Sequence, residues 1–303
     1  MLSHCSFEMT DEITYFYTPM NPKLSLALGI VCISFSPIFV KLADASPVVC
    51  AFYRILFGWI FLLPYCLNKK NINIKRKDLA LALIGGLVFA ADITLWNVSL
   101  KMISATVSTL LANLAPVWVG LISYILFRKK AGSLFWIGTG VAVAGMLILV
   151  GLRDVLHLQF GLGFVFAVVA SMLYAIYILI TKNILKRIGT ITFMFYNMLA
   201  ALVFLFIICL INGDTLIHYS ATNWLYFAGM GIVCQLLGWL AINYSIRYLE
   251  STKVAITLLS QTVVAAVLAG ILLNEILGLH EIIGSLVVLA GIAITFLKPQ
   301  TVK

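Results

Sequence analysis

The chain alternates long apolar runs with short polar links. Runs of about 18 to 25 residues, the length a helix needs to cross a hydrocarbon core of about 30 Å, lie near residues 24–41, 47–67, 79–100, 103–127, 133–152, 160–182, 190–211, 223–248, 251–273 and 280–297. This pattern predicts ten transmembrane helices. Links as short as 101–102 and 249–250 predict tight helical hairpins.

The pattern also repeats. Between Asn97 and Gly145, 12 of 49 residues are identical to the residue 146 positions later, with no gap. The matches include Asn97 with Asn243, Ser99 with Ser245, Thr106 with Thr252, Gly132 with Gly278, Gly138 with Gly284 and Gly145 with Gly291; Lys101 meets Arg247. At a separation of 143, Phe52, Tyr53, Leu56 and Phe61 match Phe195, Tyr196, Leu199 and Phe204, and there Arg54 faces Asn197. Matches at glycines and polar residues point to a duplicated unit. Five crossings per unit is an odd number, so the second half must enter the membrane upside down relative to the first. Inverted repeats around a midplane site are the sequence form of secondary transporters.

Composition agrees with a membrane protein. At 63% hydrophobic residues, 10% charged residues and a mean hydropathy of +1.10 over 303 residues, the apolar surface is too large for one soluble core. The net charge of +9 is carried by loop residues, which reads as topology and excludes a nucleic-acid partner. Sixteen Lys and Arg fall on the side of the termini and three, Lys41, Lys101 and Arg153, on the other. That asymmetry places both termini in the cytoplasm. The predicted fold is an all-α polytopic protein of the inner (plasma) membrane, with tails at 1–22 and 299–303 and five-helix repeats at 23–152 and 153–298. Five of the six cysteines, Cys32, Cys50, Cys66, Cys209 and Cys234, lie in apolar runs and read as small core residues. The first 22 residues lack the features of a removable signal, so span 1 reads as an uncleaved anchor.

Lys41 ending span 1, Phe52-Tyr53-Arg54, Leu114-Ala115-Pro116 in span 4, and the Glu275 turn followed by Gly284 and Gly291 give the chain a pattern that resembles the EamA-type transporters of the drug/metabolite transporter superfamily. The resemblance covers residues 24 to 297. It implies ten spans, inverted halves, cytoplasmic ends and a substrate among small metabolites such as amino acids or related compounds, moved outward. The chain departs from the pattern at Lys129, which stands where the second half has Glu275, and at Thr262, which replaces the proline of Pro116.

Asp92 is the deepest carboxylate in the sequence. Ionised and facing lipid it would cost about 2.5 to 3.5 kcal/mol. Arg54 is placed at comparable depth, and the two are expected to compensate each other, either as a pair that locks helices together or as a substrate or proton site. A proton-coupled cycle would have to rely on Asp92. Trp96, one turn on, lines either a cavity wall or the outer interfacial belt. Span 4 carries Thr106, Thr109, Asn113, Pro116, Gly120 and Ser123 on one stripe, which reads mainly as close packing, with Asn113 and Pro116 as cavity candidates. Gln235 and Gln261, with Tyr174 and Tyr177, complete a polar midplane ring with Asn113. Ser34, Ser36 and Pro37 mark span 1 as a broken helix. Gly138 with Gly145, and Gly284 with Gly291, predict tight packing of spans 5 and 10.

The four histidines lie outside the deep spans, and the sequence has no HExxH, GxSxG or P-loop. No metal or cofactor is expected. The expectation is a secondary transporter, not an enzyme, with the lipid bilayer and a small-molecule substrate as partners and no oligomeric state assigned. The competing reading is a polytopic enzyme or a non-transporting interaction protein, which would gain nothing from oppositely inserted halves.

Overall fold

In the computed structural model the described residues are 20–68, 73–103, 108, 111–128, 131–150, 161–272 and 278–297. Outside them lie the tails, Lys69, Lys70, Lys129, Lys130, Arg153, His157, Thr106, Thr109 and Glu275, and also the side chain of Lys101. All regular structure among the described residues is helical. Span 1 is Pro22–Leu42, span 2 Pro47–Asn68, span 6 Leu162–Ile184, span 7 Thr190–Asn212, span 8 Ala221–Tyr248, span 9 Ser251–Leu272 and span 10 Leu279–Phe296. Span 3 runs through Arg76–Met102, span 4 ends in the helix Ala115–Phe127, and span 5 is Ser133–Val150. Large apolar side chains such as Ile125, Ile211, Leu225 and Leu279 point outward, each more than two-thirds exposed. A surface of this kind is stable against lipid and not against water.

Spans 5 and 10 form a seam of bare backbone. A Cβ on Gly138 would collide with Thr295 and the Gly291 carbonyl, and one on Gly291 with Ala142 and the Gly138 carbonyl. The twin contacts recur: Gly145 lies against Val288 and the Gly284 carbonyl, and Gly284 against Leu149. Along the seam, residue numbers rise on span 5 as they fall on span 10. Equivalent helices of the two halves therefore run antiparallel, and the repeats are inverted. Small residues at these four positions let the backbones approach where lipid tails offer no hydrophobic drive for association.

Other packing is exchanged in the same way between the halves. Span 3 packs on spans 6 and 7, and its twin, span 8, packs on spans 1 and 2. Span 4 meets span 6 as span 9 meets span 1.

Several spans are interrupted near mid-depth. Span 1 breaks at Phe35, between the helices Pro22–Ser34 and Ser36–Leu42, because Pro37 has no N–H to offer the Ile33 carbonyl. Span 4 has a turn at Asn113–Leu114, and span 9 has one at Leu258–Leu259. These sites are twins within one residue, but their causes differ. In span 4, Pro116 withholds the N–H that would bond to the Ala112 carbonyl. In span 9 the Ser260 hydroxyl donates to the Thr257 carbonyl at 2.7 Å and the Thr262 hydroxyl to the Leu259 carbonyl at 2.7 Å. Such back-bonding competes with the helical ladder and bends it.

Span 8 contains a π-helical stretch, Met230–Gly238, whereas span 3 is α-helical throughout. The cause is visible in the register. Gly86 lies against the Asn197 carbonyl and Ala200, and Gly231 lies against the Arg54 carbonyl and Phe57. Those partners are themselves twins, so Gly86 and Gly231, 145 positions apart, occupy equivalent places, while Asn97 and Asn243 are 146 apart. Span 8 thus carries one extra residue between them. A π turn, with its i→i+5 bonds, takes it up.

Candidate functional site

Arg54 projects from span 2 between spans 1 and 8. Its Nε donates to Gln235 Oε1 at 3.0 Å and its terminal Nη1 to the Ser36 hydroxyl at 3.0 Å. One partner lies in the π stretch and the other just past the break in span 1. Gly58, one turn along from Arg54, gives Gln235 room, since a Cβ there would meet the Gln235 side chain at 2.9 Å. The guanidinium is thereby held flat and keeps its second terminal nitrogen for another acceptor.

Asp92 is half-buried on span 3. No ion pair joins it to Arg54; the ion pairs among the described residues are Arg187–Asp78 at 3.2 Å and Lys253–Glu250 at 3.4 Å. Tyr174 of span 6 lies within electrostatic reach of both Asp92 and Arg54. Both charges thus act on one phenol, and no contact among the described residues neutralises them against each other.

The candidate site residues divide in two. Arg54, Asp92, Trp96, Tyr174 and Gln261 are half-buried, while Asn113, Pro116, Tyr177 and Gln235 are buried. Tyr177 donates to Asn243 Oδ1 at 3.4 Å, and its ring packs on Phe89 at 4.8 Å and Trp239 at 5.5 Å. Tyr174 meets Trp239 edge-on at 6.3 Å. Tyr177 and Gln235 thus hold other residues in place. Span 4 contributes packing more than lining: Gly120 and Ser123 are buried with Asn113 and Pro116, and Gly120 abuts Phe135 of span 5. The Ser34 hydroxyl donates to the Gln261 carbonyl at 3.1 Å, tying the breaks of spans 1 and 9 together.

Phe89 and Trp239 were not singled out by sequence pattern, because single aromatics in apolar runs look like core. Their role shows only in the cluster they make with the two tyrosines. The indole N–H groups of Trp96 and Trp239 are buried without an acceptor among the described residues. The Trp59 indole N–H shares this state, and buried donors are almost always satisfied, so these three find acceptors outside the described residues.

Chemically, the arrangement offers a fixed guanidinium and a phenol that feels both it and the Asp92 carboxylate, beside the aromatic cluster of Phe89, Tyr177 and Trp239. It can hold a small polar molecule bearing both donors and acceptors. It lies where spans 1, 2 and 8 meet spans 3 and 6, between the inverted halves.

Known proteins share this plan. The model of the EamA-like transporter family matches twice, at residues 23–151 and 161–297. The chain is 23% identical over 276 residues to the uncharacterized transporter YdfC of Bacillus subtilis, covering 90% of each. It is 24% identical over 277 residues to an uncharacterized transporter of Archaeoglobus fulgidus, covering 90% of this chain and 96% of that one. A protein of known crystal structure superposes with a TM-score of 0.76 at 14% identity, covering 91% of this chain and 96% of that chain, a likeness of fold alone. With both repeats matched and the inverted seam formed between them, the chain belongs to the EamA-like transporter family and is a multi-pass membrane transporter.

Proposed function

We propose that this protein is a secondary transporter that exports small metabolites such as amino acids or related compounds, by alternating access around a midplane cavity. The observation that carries the reading is the separation of Arg54 from Asp92. Two opposite charges at depth, each half-buried and neither consumed by the other, cost free energy that a structural pair would avoid. Their placement is accounted for by a ligand that supplies the missing partners, a carboxylate to Arg54 and a cationic group to Asp92. In this reading Trp96, Tyr174 and Gln261 line the same space. Proton coupling, in this reading, runs through Asp92.

The halves supply the motion. Inverted units exchange conformations about a fixed site, so each side opens in turn. The positive-inside asymmetry supports an inner (plasma) membrane location with repeats at 23–152 and 153–298 and cytoplasmic tails at 1–22 and 299–303.

Purified protein in proteoliposomes, screened for counterflow of amino acids and related metabolites, tests the function. Asp92→Asn is expected to fold like the parent and to lower transport at least about tenfold, the loss of one charge-assisted hydrogen bond to ligand, and to remove its pH dependence. Parent-like flux in both Asp92→Asn and Arg54→Gln would refute this site. Orientation is tested by single cysteines in a cysteine-free background: an impermeant thiol reagent should label position 214 from outside and leave 75 and 186 unlabelled. External labelling at 75 would reverse the topology.

A further inference from the structure

On the face of the molecule that carries the lysine-rich links, a cavity of about 640 Å³ opens between the halves. Its walls combine Phe135 and Leu134 from the start of span 5 with Leu179 of span 6. Its rim is cationic. Lys182, Lys186 and Lys253 line it, and Glu250 is its one carboxylate among the described residues. That carboxylate is engaged by Lys253 at 3.4 Å. The Lys182 Nζ donates to the Arg247 carbonyl at 2.8 Å, at the carbonyl end of the helix Trp239–Tyr248, where a cation is favoured. It is therefore fixed at the mouth, not free to sweep through solvent. Lys186 is exposed and forms no ion pair among the described residues. The positive-inside rule explains why lysines lie on this face. It does not require three of them to converge on one apolar-walled opening between the moving halves.

We infer that this vestibule captures amphipathic organic anions: a carboxylate at Lys182 and Lys186, with an apolar body against Phe135 and Leu179. A volume of this size holds a small metabolite whole, and a rim of one sign raises the local concentration of the opposite charge. The inference rests on the transport reading and adds to it a selective entry, separate from the Arg54 and Asp92 site. Net-anionic substrates gain on capture, and neutral ones do not.

The test uses the full chain in nanodiscs of zwitterionic phosphatidylcholine and two probes of the same shape, 3-phenylpropionate, which is charged, and its neutral amide. Thermal shift should rise with the carboxylate and not with the amide. Lys182→Gln with Lys186→Gln should weaken carboxylate binding about fivefold, as expected for two charge contacts in high dielectric. The first of these changes also removes a helix-end contact, so Lys186→Glu, at an exposed position, serves as the second variant and should weaken binding at least as much. Equal responses to both probes, or parent-like binding by Lys186→Glu, would overturn the proposal. So would loss of carboxylate binding in nanodiscs containing anionic phosphatidylglycerol, which would assign the cavity to a lipid headgroup. Because binding is read without flux, carboxylate binding in a protein that transports nothing counts against the transport reading alone. Robust flux with equal probe binding counts against the vestibule alone.

Discussion

Spans 4 and 9 reach the same shape by different chemistry, while spans 3 and 8 reach different shapes from the same ancestral plan. In the first pair, a proline on one side and two hydroxyls on the other interrupt the helix at equivalent depth. In the second, one added residue converts a stretch of α-helix into π-helix on one side only. The first pair shows what the architecture needs twice. The second shows what the site needs once, because the π stretch is what carries Gln235 to Arg54, and the equivalent place on span 3 holds Phe89 among aromatics.

The sharpest test of the shared part is the seam. Gly291→Leu and Gly145→Leu should each destabilise by about 3 kcal/mol through overpacking against opposing backbone, and by similar amounts because their surroundings are twins. Melting in detergent, followed by size-exclusion chromatography, measures this. A large cost on one side with none on the other would break the equivalence.

The unshared part is tested at the π stretch. Gln235→Leu leaves the Arg54 Nε donor buried without an acceptor and should cost about 2 kcal/mol. Gln235→Glu keeps an acceptor and should recover most of it. If both variants melt like the parent, the added residue in span 8 serves something other than holding Arg54.

Smaller effects on stability are expected at the interrupted turns. Pro116→Ala on one side, and Ser260→Ala with Thr262→Ala on the other, should each change stability by no more than about 1 kcal/mol, since a regained ladder bond offsets the lost bend. Transport should fall in both. A fall in only one would mean that the two turns, alike in place, are unlike in use.

How much of this was legible before the structure depends on the length scale of each signal. The spans are properties of runs of about 20 residues and were read from hydropathy; of the ten, eight are helices of full spanning length among the described residues, and those of spans 4 and 5 are shorter. Prolines announce themselves, so the break at Pro37 was anticipated and Pro116 stood out in span 4 as a cavity candidate. The break in span 9 was not, because Ser260 and Thr262 look like ordinary small residues, and whether a hydroxyl bonds back to its own helix is decided by local geometry. The π stretch left only a faint trace, a drift in the separation of matching residues from 143 to 146 that link lengths also produce. Asp92 and Arg54 were recognisable as deep charges. That no ion pair joins them depends on which way spans 2 and 3 rotate, and apolar periodicity does not fix that when every face is apolar.

The seam also bears on how the chain is made. Span 5 cannot bury its glycine face until span 10 exists, 146 residues later in synthesis, or roughly 7 to 30 s at ribosomal rates of about 5 to 20 residues per second. For that interval the nascent first half presents a shallow backbone groove that fits an oppositely inserted helix and little else. A ribosome that stalls before span 10 leaves behind a partly built protein with that groove open, and quality-control machinery has a physical mark by which to distinguish it from a finished molecule.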